Sequence, residues 1–406
     1  MMRRLGVGRC GVAASLAAAG LALAACGSSS KPAAQGAGSS SGAPFHIEIV
    51  GTQTGAAAAP GGSGVISAAS TVFDMVNASG GINGHRIEYS VQDDQSSVTT
   101  AAAIARKATG DNPVAILDGS LSTTLSARLP VYKEAQTTVM AAAGTSFPFY
   151  SWLYAPVQTA SQAATSQASA AEQILGGSFK GKRIAIVYVQ NPAGPAAVAQ
   201  LTKIIEAGGG VVTGAQYQPP GAPSFASGAA NIVSQKPDTV IDVEAAAGTI
   251  ITAKALLTAG FTGPIQVGSA ATDDKTLTTI NSAQVFGLRT YNYPVPGSPL
   301  FEAGTKYGHT SDLTGQTFSQ GWIQATALVK GLQKCGFPCT TKDLQNALNS
   351  LGSFSVPDVT FTDLPLNSTV HNFLGPNRLF KYDPATKKVA QFGDLVELGP
   401  PNYPPS

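Results

Sequence analysis

Short apolar runs alternate with helical stretches through most of this chain, and that rhythm constrains its fold more than any other feature. His46 to Val50 reads as a strand, followed by a Gly/Ala-rich loop from Gly51 to Gly64. Val65, Ile66, Val72, Phe73 and Val76 then recur at helical spacing until Gly80-Gly81 ends the run. Strand Arg86 to Val91, helix Thr99 to Thr109, strand Val114 to Leu117, helix Thr124 to Ala135 and strand Thr138 to Ala142 continue the pattern. It restarts with helix Ser161 to Leu175 and strand Arg183 to Val189, apolar enough for burial on both faces. Val198, Leu201 and Ile205 mark another helix, stopped at Gly208-Gly209-Gly210. Strands at Val211 to Val212, Thr239 to Val243 and Pro264 to Val267 follow, with helix Thr249 to Ala259 between the last two. Repeated βαβ units imply parallel sheets covered by helices through right-handed crossovers.

The 406 residues exceed what one core usually organises, so the two runs of alternation predict two lobes. Apolar types make up 43% and charged types 12%, a balance that builds a core and excludes a disordered, collagenous or coiled-coil chain. Without Arg3, Arg4 and Arg9 the 25 Lys and Arg become 22, against 23 Asp and Glu. A near-neutral chain with no basic block offers little to a phosphate backbone, so no nucleic-acid partner is expected.

Arg3 and Arg4 precede a small-residue apolar run, Gly11 to Ala25, too short for the roughly 20 residues of a membrane span. Residues 1–25 therefore read as a signal peptide, and Leu23-Ala24-Ala25-Cys26 resembles the bacterial lipobox, which implies lipidation of Cys26 and an extracytoplasmic protein anchored to the cell membrane. An ordinary secretory signal with a chance cysteine is the alternative. Residues 26–44, rich in Gly, Ser and Ala, read as a flexible tether. Within it Gly38-Ser39-Ser40-Ser41-Gly42 matches a serine-hydrolase pattern but lacks the strand and helix that a nucleophile elbow needs.

Cys10 falls in the signal, which leaves Cys335 and Cys339 for the folded part. Outside the cytoplasm these two favour a disulfide across Gly336-Phe337-Pro338. A metal site wants three or four ligands, and the histidines at 46, 85, 309 and 371 are scattered, so no metal or other cofactor is expected. No phosphate-cradling Gly-x-x-x-x-Gly-Lys loop occurs. The acidic pair Asp93-Asp94 suits acid–base or metal chemistry by residue type alone, but no nucleophile and base are brought together, so no enzyme is expected.

In open parallel sheets, ligands settle at the carboxyl ends of strands. The loops Asp118 to Thr124 and Ala143-Gly144-Thr145-Ser146 are rich in Gly, Ser and Thr, which permit close backbone approach and supply hydroxyls. On spacing alone, helix capping explains the same residues better.

Gly80-Gly81-Ile82-Asn83-Gly84-His85-Arg86-Ile87-Glu88, followed by Asp93-Asp94-Gln95, resembles the hallmark of the branched-chain amino-acid type of substrate-binding proteins of ABC transporters. The signal, the first strand, this hallmark, both polar loops and the two-part alternation fall in the family's order over roughly residues 45 to 350. The resemblance implies an α/β protein of the type I periplasmic-binding, or Venus-flytrap, fold: two Rossmann-like lobes joined by three crossover strands. Its lobes would take residues 45–158 with 287–355, and 159–286 with 356–406. Pro294, Pro296 and Pro299 would mark one hinge connection, and Arg378 to Tyr382 with Val389 to Phe392 would form the final crossover and a small hairpin.

By motif position, the resemblance places a ligand carboxylate against Ser122, Thr123, Ala143 and Thr145 of the first lobe, through charge-assisted hydrogen bonds. The second lobe departs from the pattern. Where amino-acid-binding members place a Tyr before a Gly, this chain has Ala193-Gly194, and where they place an acid, it reads Gly268-Ser269-Ala270-Ala271-Thr272-Asp273-Asp274. Glu244 and Asp273, with Asp274 beside it, remain acidic candidates, although such residues are more often solvated loop carboxylates or helix caps. The resemblance thus implies capture, by lobe closure, of a small polar solute such as an amino acid or amide, and delivery to ABC permease subunits, by a protein acting as a monomer. A sensor module that passes its signal to a receptor uses the same clamshell and stays open as a reading.

Overall fold

The computed structural model describes residues 42–55, 62–120, 122–143, 148–189, 194–219, 222–243, 246–269 and 272–403, all within one compact unit, Ala37–Ser406. The expected signal peptide, Cys26 and most of the tether lie outside the described residues.

The first lobe begins with β1 (Gly42–Gly51), α1 (Gly62–Ala78), β2 (His85–Asp93), α2 (Val98–Gly110), β3 (Ala115–Gly119), α3 (Ser122–Ala135), β4 (Val139–Ala141) and β5 (Leu153–Tyr154). Its sheet runs β2-β1-β3-β4-β5, every neighbouring pair parallel. The hallmark makes the turn from α1 into β2. Gly81 sits at φ +77°, where a Cβ would lie 2.2 Å from the His85 carbonyl oxygen, so only glycine fits. Asn77 locks the turn by exchanging two hydrogen bonds of 2.8 Å with the backbone of Ile87.

The second lobe follows as α4 (Ala160–Ile174), β6 (Arg183–Val189), α5 (Gly194–Ala207), β7 (Val211–Gln218), α6 (Ala226–Ser234), β8 (Thr239–Asp242), α7 (Ala246–Thr258), β9 (Ile265–Val267), α8 (Asp274–Ile280) and β10 (Val285–Arg289). The chain then builds α9 (Pro299–Lys306), α10 (Gln316–Cys335), α11 (Thr341–Asn349), β11 (Gly352–Phe354), β12 (Leu364–Leu366), β13 (Asn377–Asp383) and β14 (Lys388–Val396). The second sheet runs β14-β13-β10-β9-β8-β6-β7, parallel from β10 to β7 and antiparallel across the β13–β14 hairpin.

Two expected boundaries differ from the packing. Residue 287 was to begin the return to the first lobe, yet it lies mid-strand in β10, hydrogen-bonded between β9 and β13, so the return starts after Arg289. The stretch from residue 356 was to join the second lobe. Instead Val356, Val359, Leu364, Leu366, Phe373 and Leu374 are buried in the first core beside Leu344 and Leu348 of α11, and only β13 and β14 join the second sheet. Among the described residues of this stretch Phe361, in the connection between β11 and β12, alone reaches across to pack against the second core, beside Phe380 of β13.

Three crossovers join the lobes, and they are tied to one another. The Ala155 backbone N–H donates to the His371 carbonyl at 2.9 Å, and the Tyr291 hydroxyl donates to the Pro156 carbonyl. His371 is buried, stacks on Tyr154 at 4.2 Å, and shares Nδ1 between the carbonyls of Leu153 and Tyr150 at 3.0 and 3.2 Å. Burial disfavours its charged form more than these carbonyls favour it, which brings its pKa down to about 4. At the far end of α10 the Sγ atoms of Cys335 and Cys339 are 2.01 Å apart, and Phe337 between them stacks on His85.

Candidate functional site

Each sheet has one strand from which the chain first steps to one side and then to the other: β1 lies between β2 and β3, and β6 between β7 and β8. At such switch points the loops at the strand carboxyl ends diverge and leave a crevice for a ligand. In the first lobe the crevice lies at the carboxyl ends of β1 and β3, in the second at those of β6 and β8.

The first-lobe loops rest on a buried ionic network. Arg128 of α3 is fully buried and donates to Asp94 Oδ2 at 2.7 Å and to Asp118 Oδ1 at 3.1 Å. Thr52, just past β1, donates its hydroxyl to Asp94 Oδ1 at 2.8 Å, and the Tyr132 hydroxyl donates to Asp118 Oδ2 at 2.8 Å. Burial pushes the Tyr132 phenol well above its ordinary pKa, and the Asp118 charge pushes it further, so it stays a donor. Arg128 is pulled down by burial but held up by Asp118, Tyr132 and Asp94, with a net rise, so the charge persists.

Asp93 performs the matching task outside. Its Oδ1 accepts from the backbone N–H groups of Gln53, Thr54 and Gln95 at 2.8, 3.2 and 2.9 Å, and Thr54 Oγ1 donates to Oδ2 at 2.5 Å. Its modest burial raises the pKa, but these hydrogen bonds outweigh that and hold the carboxyl below its usual value. The Asp93-Asp94 pair thus anchors the loop that leaves β1 rather than presenting two free carboxylates.

The expected site residues distribute around this frame. Thr123, in the first turn of α3, is exposed, and Ala143 is half-buried just past β4, where Gln320 of α10 holds the neighbouring Ala142 carbonyl at 2.7 Å. Ser122 opens α3, Thr145 and Glu244 lie outside the described residues, and so do Ala193, Ala270 and Ala271. Asp273 is the N-cap of α8: Oδ1 accepts from the Thr276 N–H and Oδ2 from its hydroxyl, both at 2.8 Å. Asp274 pairs with Arg289.

Two residues absent from the expected set stand out. Ser120 Oγ, at the end of β3, and Thr249 Oγ1, in the first turn of α7, are buried hydroxyls with no hydrogen-bond partner among the described residues. One lies beside each switch point. Buried polar groups are normally satisfied, so unpartnered ones there call for a ligand atom or a water. The serine-rich loop signalled Ser120; nothing local set Thr249 apart from a helix-capping threonine.

Between the lobes a cavity of about 170 Å³ is lined by Asp273, Lys275 and Tyr293 on one side and Thr314 on the other. Asp312, beside Thr314 in sequence, has its pKa raised by burial and further by the charge of Asp273 in the opposite lobe, even though Thr317 hydrogen-bonds it.

A family model described as periplasmic binding protein matches residues 44–383. The chain belongs to the periplasmic binding protein family. Among solved structures, a substrate-binding protein of an ABC transporter from Aeropyrum pernix is similar at 17% identity, over 88% of this chain and 96% of its own, with a TM-score of 0.72. A fatty acid ABC transporter substrate-binding protein from Thermomonospora curvata matches at 19% identity, over 87% and 92%, with a TM-score of 0.69. The branched-chain amino acid transporter substrate-binding protein of Streptococcus pneumoniae, in complex with isoleucine, matches at 14% identity, over 87% and 99%, with a TM-score of 0.68. These likenesses establish the type I periplasmic-binding fold with its two lobes. No curated protein matches the chain. As a periplasmic binding protein it binds a solute rather than transforming one, and no helix among its described residues is long and apolar enough to cross a membrane.

Proposed function

We propose that this protein captures a small polar solute between its lobes, outside the cell, and presents it to the permease of an ABC transporter while anchored to the membrane by a lipid on Cys26. The observation that carries the reading is the pair of switch points bordered by unpartnered hydroxyls, Ser120 in one lobe and Thr249 in the other. A ligand that touches both lobes only when they close shifts the open–closed equilibrium, whereas one touching a single lobe shifts nothing.

In this reading Ser122, Thr123, Ala143 and Thr145 hold the solute's acceptor groups through hydroxyls and backbone N–H groups. Glu244 and Asp273 are the acidic groups of the second lobe. Asp273 already spends both oxygens on its helix cap, which makes Glu244 the stronger partner for an ammonium. The similar solved structures include a fatty acid transporter's binding protein, a solute-binding protein in complex with benzoate and one in complex with isoleucine, so a carboxylate is the common element of the solutes to try first.

The test is a thermal-shift screen of the protein without residues 1–26 against amino acids, amides, short peptides and aromatic and aliphatic acids. A true ligand at about a hundredfold its dissociation constant adds roughly 2.7 kcal/mol of stability. Ser122→Ala and Thr145→Ala then weaken binding of whichever solute scores. Unchanged affinity in both would show that the site has been misplaced.

A further inference from the structure

We propose a second ligand site, beside the second crossover, that takes a small monocarboxylate. A cavity of about 240 Å³ opens there, walled by Leu300 of the first lobe and by Phe380 and Val389 of the second. It adjoins β10, β13 and β14, on the opposite side of β9 from β8 and β6, whose ends frame the crevice. Among its polar lining residues, Arg289 and Asn292 bring side-chain nitrogens. Arg289 is 4% exposed. Its Nε donates to the Thr272 carbonyl at 2.8 Å and its Nη2 to Asp274 Oδ1. Its guanidinium lies against the rings of Tyr293 and Phe380, 4.5 and 4.2 Å from their centroids. Nη1 has no hydrogen-bond partner among the described residues, and neither does the side-chain amide of Asn292, which lines the same cavity.

A buried guanidinium held flat by two rings and two acceptors, with one nitrogen left over, is a pre-organised donor for an anion. The anion is further specified by the rest of the wall. Asp274 pairs with Arg289, and Asp358 stands exposed at the rim, so a dianion such as phosphate meets about twice the repulsion that a monoanion does, for the same guanidinium contact. One carboxylate oxygen accepts from Nη1 and the other from the Asn292 amide. The apolar side chains then cover a short hydrocarbon tail, as small-molecule sites generally do. The space equals about eight liquid-water volumes, which suits an acid of similar heavy-atom count or smaller.

Butyrate is the probe, and saturation-transfer NMR on the protein is the measurement. The expected dissociation constant is about 1 mM, fitting so small a ligand with charge-assisted contacts. Asn292→Leu and Val389→Phe each weaken binding at least about tenfold while the melting temperature is retained, and butanol, lacking the charge, does not compete. Asn292 has no side-chain bond to lose and Val389 is half-buried on an edge strand, so both variants fold. Full affinity in both variants overturns the proposal, as does the absence of saturable binding up to about ten times the expected constant. So does a loss confined to Ser122→Ala, which would place butyrate in the inter-lobe crevice instead.

Discussion

In the first lobe the carboxyl ends of three neighbouring strands, β1, β2 and β3, are tied to one guanidinium: Asp94 past β2 and Asp118 in β3 bond Arg128, and Thr52 past β1 bonds Asp94. In the second lobe the contacts described beyond β7 and β9 are more separate: the Thr252 hydroxyl donates to the Gln218 side chain, Thr272 pairs with Tyr293 at 3.0 Å, Asp273 caps its own helix, and Arg289 pairs with a single carboxylate, Asp274. The contrast teaches a division of labour. One face is built as a single charged unit whose parts cannot move separately, because each carboxylate would be left buried and unpaired. The other face has one guanidinium–carboxylate pair among its described residues, and its neutral hydrogen bonds, each worth about 1 kcal/mol, can be altered piece by piece.

The sharpest way to break this comparison is Arg128→Met. It strands Asp94 and Asp118 in the core and should cost about 3–5 kcal/mol in urea unfolding. A cost near 1 kcal/mol would mean that the network braces nothing. The hinge, which belongs to neither face, responds to pH. Folded His371 has its pKa down at about 4 from 6.5, so the unfolded chain binds the proton first as pH falls. Stability from this residue is full above pH 6.5, drains away between 6.5 and about 4, and changes no further below, a total of about 3 kcal/mol. Unfolding of the native protein and of His371→Gln at pH 7 and pH 4.5 reads the difference directly, and parallel losses in the two proteins would rule the histidine out.

Thr252→Val is the second-lobe counterpart of the arginine variant. It leaves the Gln218 acceptor buried without its donor and should cost about 1–3 kcal/mol. A loss as large as that of Arg128→Met would erase the contrast between the faces. The smallest effect is expected from Asp273→Ala, about 1 kcal/mol for a lost N-cap. Its value lies in the second readout: ligand affinity unchanged means that the carboxylate only caps, while a drop well beyond the stability loss means that it also touches solute.

Much of the first lobe's frame is legible before folding. The βαβ rhythm places strand ends, and the Gly80–Gly84 turn with Asp93-Asp94 is local in sequence, so its positive φ values and its helix-to-strand register follow from neighbours. The β13–β14 hairpin is legible for the same reason. Strand β7 runs to Gln218 rather than ending at Val212, because an edge strand with one solvated face carries little apolar signal. Strand β10 escapes notice because a five-residue buried run looks alike whether it ends one lobe or begins the other.

The order of small and apolar residues along this chain determined by itself that two parallel sheets would form and that a glycine turn would join the first helix to the second strand, because those preferences act over a few bonds. The tertiary structure alone decided that Arg128 would meet Asp94, 34 residues away, that Val356 to Leu374 would pack in the first core, and that Arg289 would lie between two rings with one nitrogen free. Those outcomes rest on burial and charge pairing between segments far apart in the chain, and no local pattern carries that information.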